Sequence, residues 1–129
     1  MSGKESEYFN DKVGSIELVR CPISQEFCGV HLKKINKFVQ LSRGNWISKD
    51  YPQAIQELKE AFEQTMKINP SECARCTVIF RLTIIRSMEN LHEDLRQMTS
   101  GFFRVKRHLS SLKLAEQVLQ EMKERTQSI

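Results

Sequence analysis

The chain has 129 residues, of which 40% are hydrophobic and 28% charged, and a net charge of +4 at pH 7. A chain of this length fits one domain and can bury a core without obligatory disulfide or metal cross-links. The charge is small and shared by both halves, so neither half is a basic tail. With only 5 Gly and 3 Pro, the composition also argues against a turn-rich β-sandwich.

The N-terminal stretch does not resemble a signal peptide. Met1 to Lys12 lacks the apolar core of a signal peptide. No stretch approaches the ~20 apolar residues that cross a bilayer. We therefore expect a cytoplasmic protein, in which cysteines are more often thiols or metal ligands than structural disulfides. Residues 1–14 are polar and predict a mobile N-terminal arm.

The first two helices are predicted between Ser24 and Asn69. The first runs from Ser24, a capping residue, to about Trp46, and Asp50 caps the second. The second ends at Asn69, because a residue preceding proline is disfavoured in helical geometry. The residues expected to face the core recur at helical spacing: Phe27, Val30 or His31, Ile35, Phe38 and Leu41 in the first helix, and Ile55, Leu58, Phe62, Thr65 and Met66 in the second.

Two further helices follow, from Ser71 to about Met98 and from Phe102 to about Arg125. Ser71 is expected to cap the third helix, whose wide apolar arc indicates that it is the most buried. Its expected core residues are Val78, Leu82, Ile85, Met88, Leu91 and Leu95, with Phe80 and Ile84 widening the face. Those of the fourth helix are Val105, Leu109, Leu112, Leu119 and Met122.

Short connections between successive helices favour antiparallel neighbours. The sequence therefore predicts an all-α fold, an up-down-up-down four-helix bundle. A short extended N-terminal arm precedes it, and Ser15 to Arg20 could be a small strand or an extended segment lying on the domain. Residues 15–129 form the single helical-bundle domain in this interpretation.

Cysteine and histidine residues form the most distinctive chemical pattern in the chain. Cys28 and His31 lie in the first turns of the first helix, and Cys73 and Cys76 lie in the first turns of the third. These two helices start at the same end of an antiparallel bundle, so the pairs can meet, with Cys21 on the entering chain. Three thiolates and an imidazole, or four thiolates, suit tetrahedral zinc.

Two other interpretations of the cysteines stay open. Cys73 and Cys76 could instead be a redox pair, or all four cysteines could be ordinary thiols that pack as small apolar residues. A domain of this size does not need metal to fold, so absence of any cofactor is the main expectation and zinc is the alternative.

Interaction candidates come from aromatic and basic residues. Trp46 and Tyr51 at the corner between the first two helices are candidate anchors for a partner, since Trp and Tyr are enriched in interface hot spots. The alternative is that they close the end of the bundle. Two acid-free stretches are candidate anion-facing patches; they contain Lys33 and Lys37 in the first helix, and Arg104 and Arg107 early in the fourth.

The sequence lacks a Gly-rich phosphate loop, a nucleophile elbow and an H-E-x-x-H motif, so catalysis is not expected. The favoured function is a non-enzymatic protein-interaction or adaptor module that binds another protein or a second copy of itself. One alternative is a zinc- or redox-responsive regulator that uses the cysteine and histidine cluster. The other is a nucleic-acid-binding protein that uses the basic helix faces, whose binding would weaken steeply with salt.

Overall fold

The computed structural model describes residues 25–68, 73–100 and 108–127, with side chains omitted for residues 25–29 and 74. Within these ranges the chain forms helices α1 (Gln25–Ile47), α2 (Tyr51–Met66), α3 (Ala74–Thr99) and α4 (Leu109–Gln127). The predicted arm at 1–14 and the extended segment at 15–20 lie outside the described residues. No helix in the described part is long and apolar enough to cross a membrane.

Contacts between the helices confirm the predicted four-helix bundle. The Arg81 guanidinium contacts the Thr65 carbonyl, whereas Tyr51 at the other end of α2 contacts Met98, so α2 and α3 run in opposite directions. In the same way, α3 and α4 are antiparallel neighbours. Helix α2 packs against each of the other three helices and is the centre of the domain.

The start of α2 follows directly from the sequence. The Asp50 side chain accepts a hydrogen bond from the backbone amide of Gln53 at 3.4 Å. Pro52 lies in the first turn, where a backbone N–H has no partner within the helix, so the missing N–H of proline costs no hydrogen bond. The chain reverses sharply just before it, at Lys49, whose φ of 64° lies in the left-handed region. The predicted cap is therefore confirmed.

Small residues bring α1 and α2 close together. Ala54 and Ala61 on α2 are fully buried, and the Ser42 hydroxyl on α1 donates to the Ala54 carbonyl at 2.8 Å. A second contact lies nearer the turn, where the Asn45 amide donates to both carboxylate oxygens of Glu57 at 2.9 Å. These polar contacts fix the register of the α1–α2 pair.

The core combines residues from all four helices. Its largest fully buried side chains are Phe62, Phe80, Ile35, Ile55, Leu58, Ile68, Ile84, Met88, Leu91, Leu95 and Met122. Phe80, Ile84, Met88, Leu91 and Leu95 follow one face of α3, as the apolar pattern predicts.

The expected stripe of α1 is wrong at Leu41, which is exposed. Of the alternatives Val30 and His31, Val30 is exposed and His31 is half-buried, and the buried stripe among the described residues consists of Ile35, Val39, Ser42 and Trp46. The actual stripe follows helical spacing as well, but it includes a serine that the apolar pattern skips. The Ser42 hydroxyl donates to the Ala54 carbonyl, and this hydrogen bond offsets the cost of removing the hydroxyl from water.

Two expectations for α3 are also corrected. Val78 and Leu82 are exposed rather than buried, because the described helices cover the opposite face of α3. The residue that precedes the first turn is Cys73 rather than Ser71, and the Cys73 side chain makes no capping hydrogen bond. Ser71 lies outside the described residues, as do Phe102, the expected start of the fourth helix, and Val105.

Candidate functional site

The structure places only part of the predicted cysteine and histidine cluster. Cys73 and Cys76 are buried at the start of α3, and His31 is half-buried in α1. Cys21 and the side chain of Cys28 lie outside the described part of the chain. Among the described residues no group of three or more His, Cys, Asp and Glu side chains could hold a metal ion. Zinc binding by the full set of five residues therefore stays a prediction.

Burial makes a direct prediction about cysteine reactivity. We expect Cys73 and Cys76 to be alkylated at least about tenfold more slowly in the native protein than in urea, because the reagent needs local opening of α3. The measurement is iodoacetamide labelling followed by mass spectrometry of the peptides. Fast native labelling of both residues would contradict their placement in the core.

The same labelling experiment tests zinc. If the cluster holds zinc, protein purified without chelator carries about one zinc per chain, and a chelator accelerates labelling of the ligands. Metal-free protein whose labelling rates do not respond to the chelator would contradict the zinc hypothesis, and slow labelling alone would not support it.

Trp46 and Tyr51 are part of the core, each with 4% of its surface exposed. The Trp46 indole donates to the Asp94 carboxylate on α3 at 2.9 Å. The Tyr51 ring meets the His108 ring edge-on with centroids 4.9 Å apart, and its hydroxyl donates to the Met98 sulfur at 3.5 Å. These contacts agree with the interpretation that the two aromatic residues close one end of the bundle, and their role as anchors for a partner stays a prediction.

Of the four basic residues predicted to face an anion, two lie within the described part of the chain and two lie outside it. Lys33 and Lys37 are exposed on the outer face of α1, and neither forms an ion pair with the described residues. Arg104 and Arg107 lie outside the described part of the chain, so their place in an anion-facing patch stays a prediction. Among the described residues, the acids near the end of α3 have these partners: Glu93 pairs with Arg96, Glu89 pairs with Lys123, and Asp94 accepts a hydrogen bond from the Trp46 indole.

An exposed apolar surface lies on α3 and includes Val78 and Leu82, which the sequence pattern predicts to be in the core. Val78, Ile79 and Leu82 project outward from the first half of this helix, and we call these three residues the α3 apolar face. Helical spacing places Arg75 and Arg86 on the same side, one at each end of the face. The sequence feature that indicates this surface is the wide apolar arc of the helix, which is wider than a single packed face requires.

Arg81 is only 2% exposed, although the apolar pattern of α3 predicts no charged residue in the core. It lies on the core-facing side of α3, between Thr77 and Ile84 in the helical repeat. An arginine at a core position of an otherwise apolar stripe was the available signal. Burial, together with the nearby charge of Arg125, lowers the pKa of the Arg81 guanidinium.

Close to Arg81, Arg125 at the end of α4 forms an ion pair with Glu63 on α2. The hydrogen bond from Arg125 lowers the pKa of the Glu63 carboxyl, and the same bond raises the pKa of Arg125. The Arg125 guanidinium also lies over the Phe62 ring, 5.5 Å from its centroid. Both side chains of the Arg125–Glu63 pair are partly exposed, so the pair contacts solvent at this end of the bundle.

Three comparisons with known proteins give no relative from which a function could be transferred. The chain matches no protein-family model, no curated protein and no solved structure.

Proposed function

We propose that this chain is a protein-interaction module that associates with a second copy of itself through the α3 apolar face. The observation that carries the proposal is the exposure of Val78 (54%) and Leu82 (53%) one helical turn apart, beside exposed Ile79. Isolated exposed apolar residues are ordinary on protein surfaces, but a contiguous group on one helix face is typical of an interaction site.

The charges on α3 support a second copy as the partner. In a symmetric dimer, if residue i contacts residue j, then j contacts i in the other copy. When two α3 helices cross antiparallel with Leu82 at the two-fold axis, Arg75 of one copy lies opposite Glu89 of the other. Helical spacing places both residues on the outward side of the helix. Within the monomer Glu89 pairs with Lys123 at 3.6 Å, and both of these side chains are partly exposed. In this arrangement two Arg75–Glu89 pairs add opposite-charge contacts on either side of the apolar centre.

The energetics indicate a weak complex. Fully burying a Val, Ile or Leu side chain contributes about 1.5–3 kcal/mol, and these side chains are already about half buried in the monomer. The contributions of the two copies together are comparable to the cost of association, which is about 4–15 kcal/mol. We therefore expect a dimer that forms at high protein concentration and dissociates on dilution.

A charge exchange tests this arrangement. We expect Arg75→Glu and Glu89→Arg each to weaken dimerisation about tenfold, because each places like charges opposite each other twice in the dimer. The double variant should recover most of the loss, since it restores both opposite-charge pairs. Sedimentation equilibrium across a concentration series up to about 1 mM measures the effect.

Matched apolar variants supply the control. Leu82→Ser should abolish dimerisation, whereas Ile47→Ser should leave it unchanged because Ile47 is as exposed (59%) but lies at the end of α1. Circular dichroism establishes that each variant keeps its helical content. A wild-type protein that is monomeric at every concentration, or a Leu82→Ser variant that dimerises normally, would show that the proposal is wrong.

A further inference from the structure

Arg81 is a buried cation without a counter-charge in the described part of the chain. Its Nη2 contacts the Thr65 carbonyl at 3.4 Å, and Nε and Nη1 have no hydrogen-bond partner there. No described carboxylate forms an ion pair with it. Buried polar groups are almost always hydrogen-bonded, and a buried charge without a partner is strongly unfavourable. These donors therefore require a partner that the described residues do not provide.

The carboxylate on the same turn of α2 has another partner. Glu63 lies two residues before Thr65 on α2, but its carboxylate is held by both terminal nitrogens of Arg125. Glu121 also acts electrostatically on Arg125. Neither Glu63 nor Glu121 forms an ion pair with Arg81, the more buried of the two guanidinium groups.

We propose that Arg81 and Arg125 form a binding site for a small oxyanion, with a phosphate group as the best match. A guanidinium presents its N–H groups as a planar fork that pairs with two oxygens of a phosphate or carboxylate. A tetrahedral phosphate can accept from the unsatisfied Nη1 of Arg81 and present its other oxygens to Arg125. The depth of Arg81 restricts the ligand to a small anion or to a phosphate group that enters alone.

The geometry gives a route to the site. Both arginines contact the same turn of α2, Arg125 through Phe62 and Glu63 and Arg81 through Thr65. The Arg125 side chain is 41% exposed, so it meets solvent while Arg81 does not. An anion would reach the outer guanidinium first and then the inner one, after a shift of the Glu63–Arg125 pair.

Thermal unfolding in different salts tests the site on the full chain. We expect inorganic phosphate at millimolar concentration to raise the Tm of the wild-type protein by at least about 3 °C, saturably, above chloride at equal ionic strength. Arg81→Met should lose this response, and without phosphate its Tm should exceed that of the wild type because an unpaired buried charge has been removed. Acetate in a parallel series distinguishes a phosphate site from a general carboxylate site.

Two further variants separate the site from general electrostatics. Arg86→Met removes a charge from the exposed side of the same helix and should keep the full phosphate response. Arg125→Gln keeps Arg81 and should reduce the apparent affinity for phosphate about tenfold, which covers the case that Arg81→Met fails to fold. A wild-type Tm that phosphate raises no more than chloride does would overturn the proposal, as would an unchanged response in Arg81→Met. An equal response to acetate would overturn the preference for phosphate.

Discussion

Replacing Phe62 by alanine is expected to lower the free energy of unfolding by about 3–5 kcal/mol. The ring is 1% exposed on α2, the helix that packs against all three others, so its removal leaves a cavity that neighbouring side chains cannot fill. The substitution also removes the aromatic surface beneath the Arg125 guanidinium. Urea denaturation followed by circular dichroism measures the effect as a lower midpoint at an unchanged slope.

The control for this experiment is Leu114→Ala on α4. Leu114 is apolar but substantially exposed, so its loss should change stability by less than about 1 kcal/mol. If Phe62→Ala cost no more than this control, the centre of the core would not be where the structure places it.

Replacing Trp46 by alanine is the second large change, also with an expected loss of about 3–5 kcal/mol. The indole is buried between α1 and α3, and its N–H donates to Asp94. Trp46→Phe should cost less, about 1–3 kcal/mol, because it keeps most of the apolar surface and removes mainly the hydrogen-bond donor. Urea denaturation gives both values, with circular dichroism as the probe because these variants lack the only tryptophan.

This series separates the two interpretations of Trp46. A surface anchor for a partner would contribute to binding and little to stability, whereas a residue that closes the bundle contributes to stability first. The neighbouring Ile47→Ala is the control, since Ile47 is exposed at the same end of α1. Equal, small effects of Trp46→Ala and Ile47→Ala would argue for the anchor.

Local sequence signals predicted the helices well. Asp50 and Pro52 mark the start of α2, and the structure has the capping hydrogen bond that this pair implies. The spacing of Leu91 and Leu95 likewise predicts the buried face of α3. Such signals depend on residues within one or two turns, so the sequence contains all the information they need.

The candidate surfaces were less predictable. Val78 and Leu82 have the same apolar character as Leu91 and Leu95, yet the first pair is exposed and the second buried. Periodicity reports which residues share a helix face, but which face another helix covers depends on the packing of the whole bundle. The pattern therefore predicted Val78 and Leu82 of the α3 apolar face to be in the core, and this prediction is wrong.

The sequence by itself determined four helices, their lengths to within a few residues for α1 and α2, and the antiparallel order that short connections impose. The tertiary structure alone decided which polar groups are buried and which apolar groups remain at the surface. It places the Arg81 guanidinium in the interior, the Trp46 and Tyr51 rings at the closed end of the bundle, and the Leu82 side chain in solvent. The physical reason is that burial is a property of neighbouring helices rather than of the residue, and those neighbours are distant in sequence.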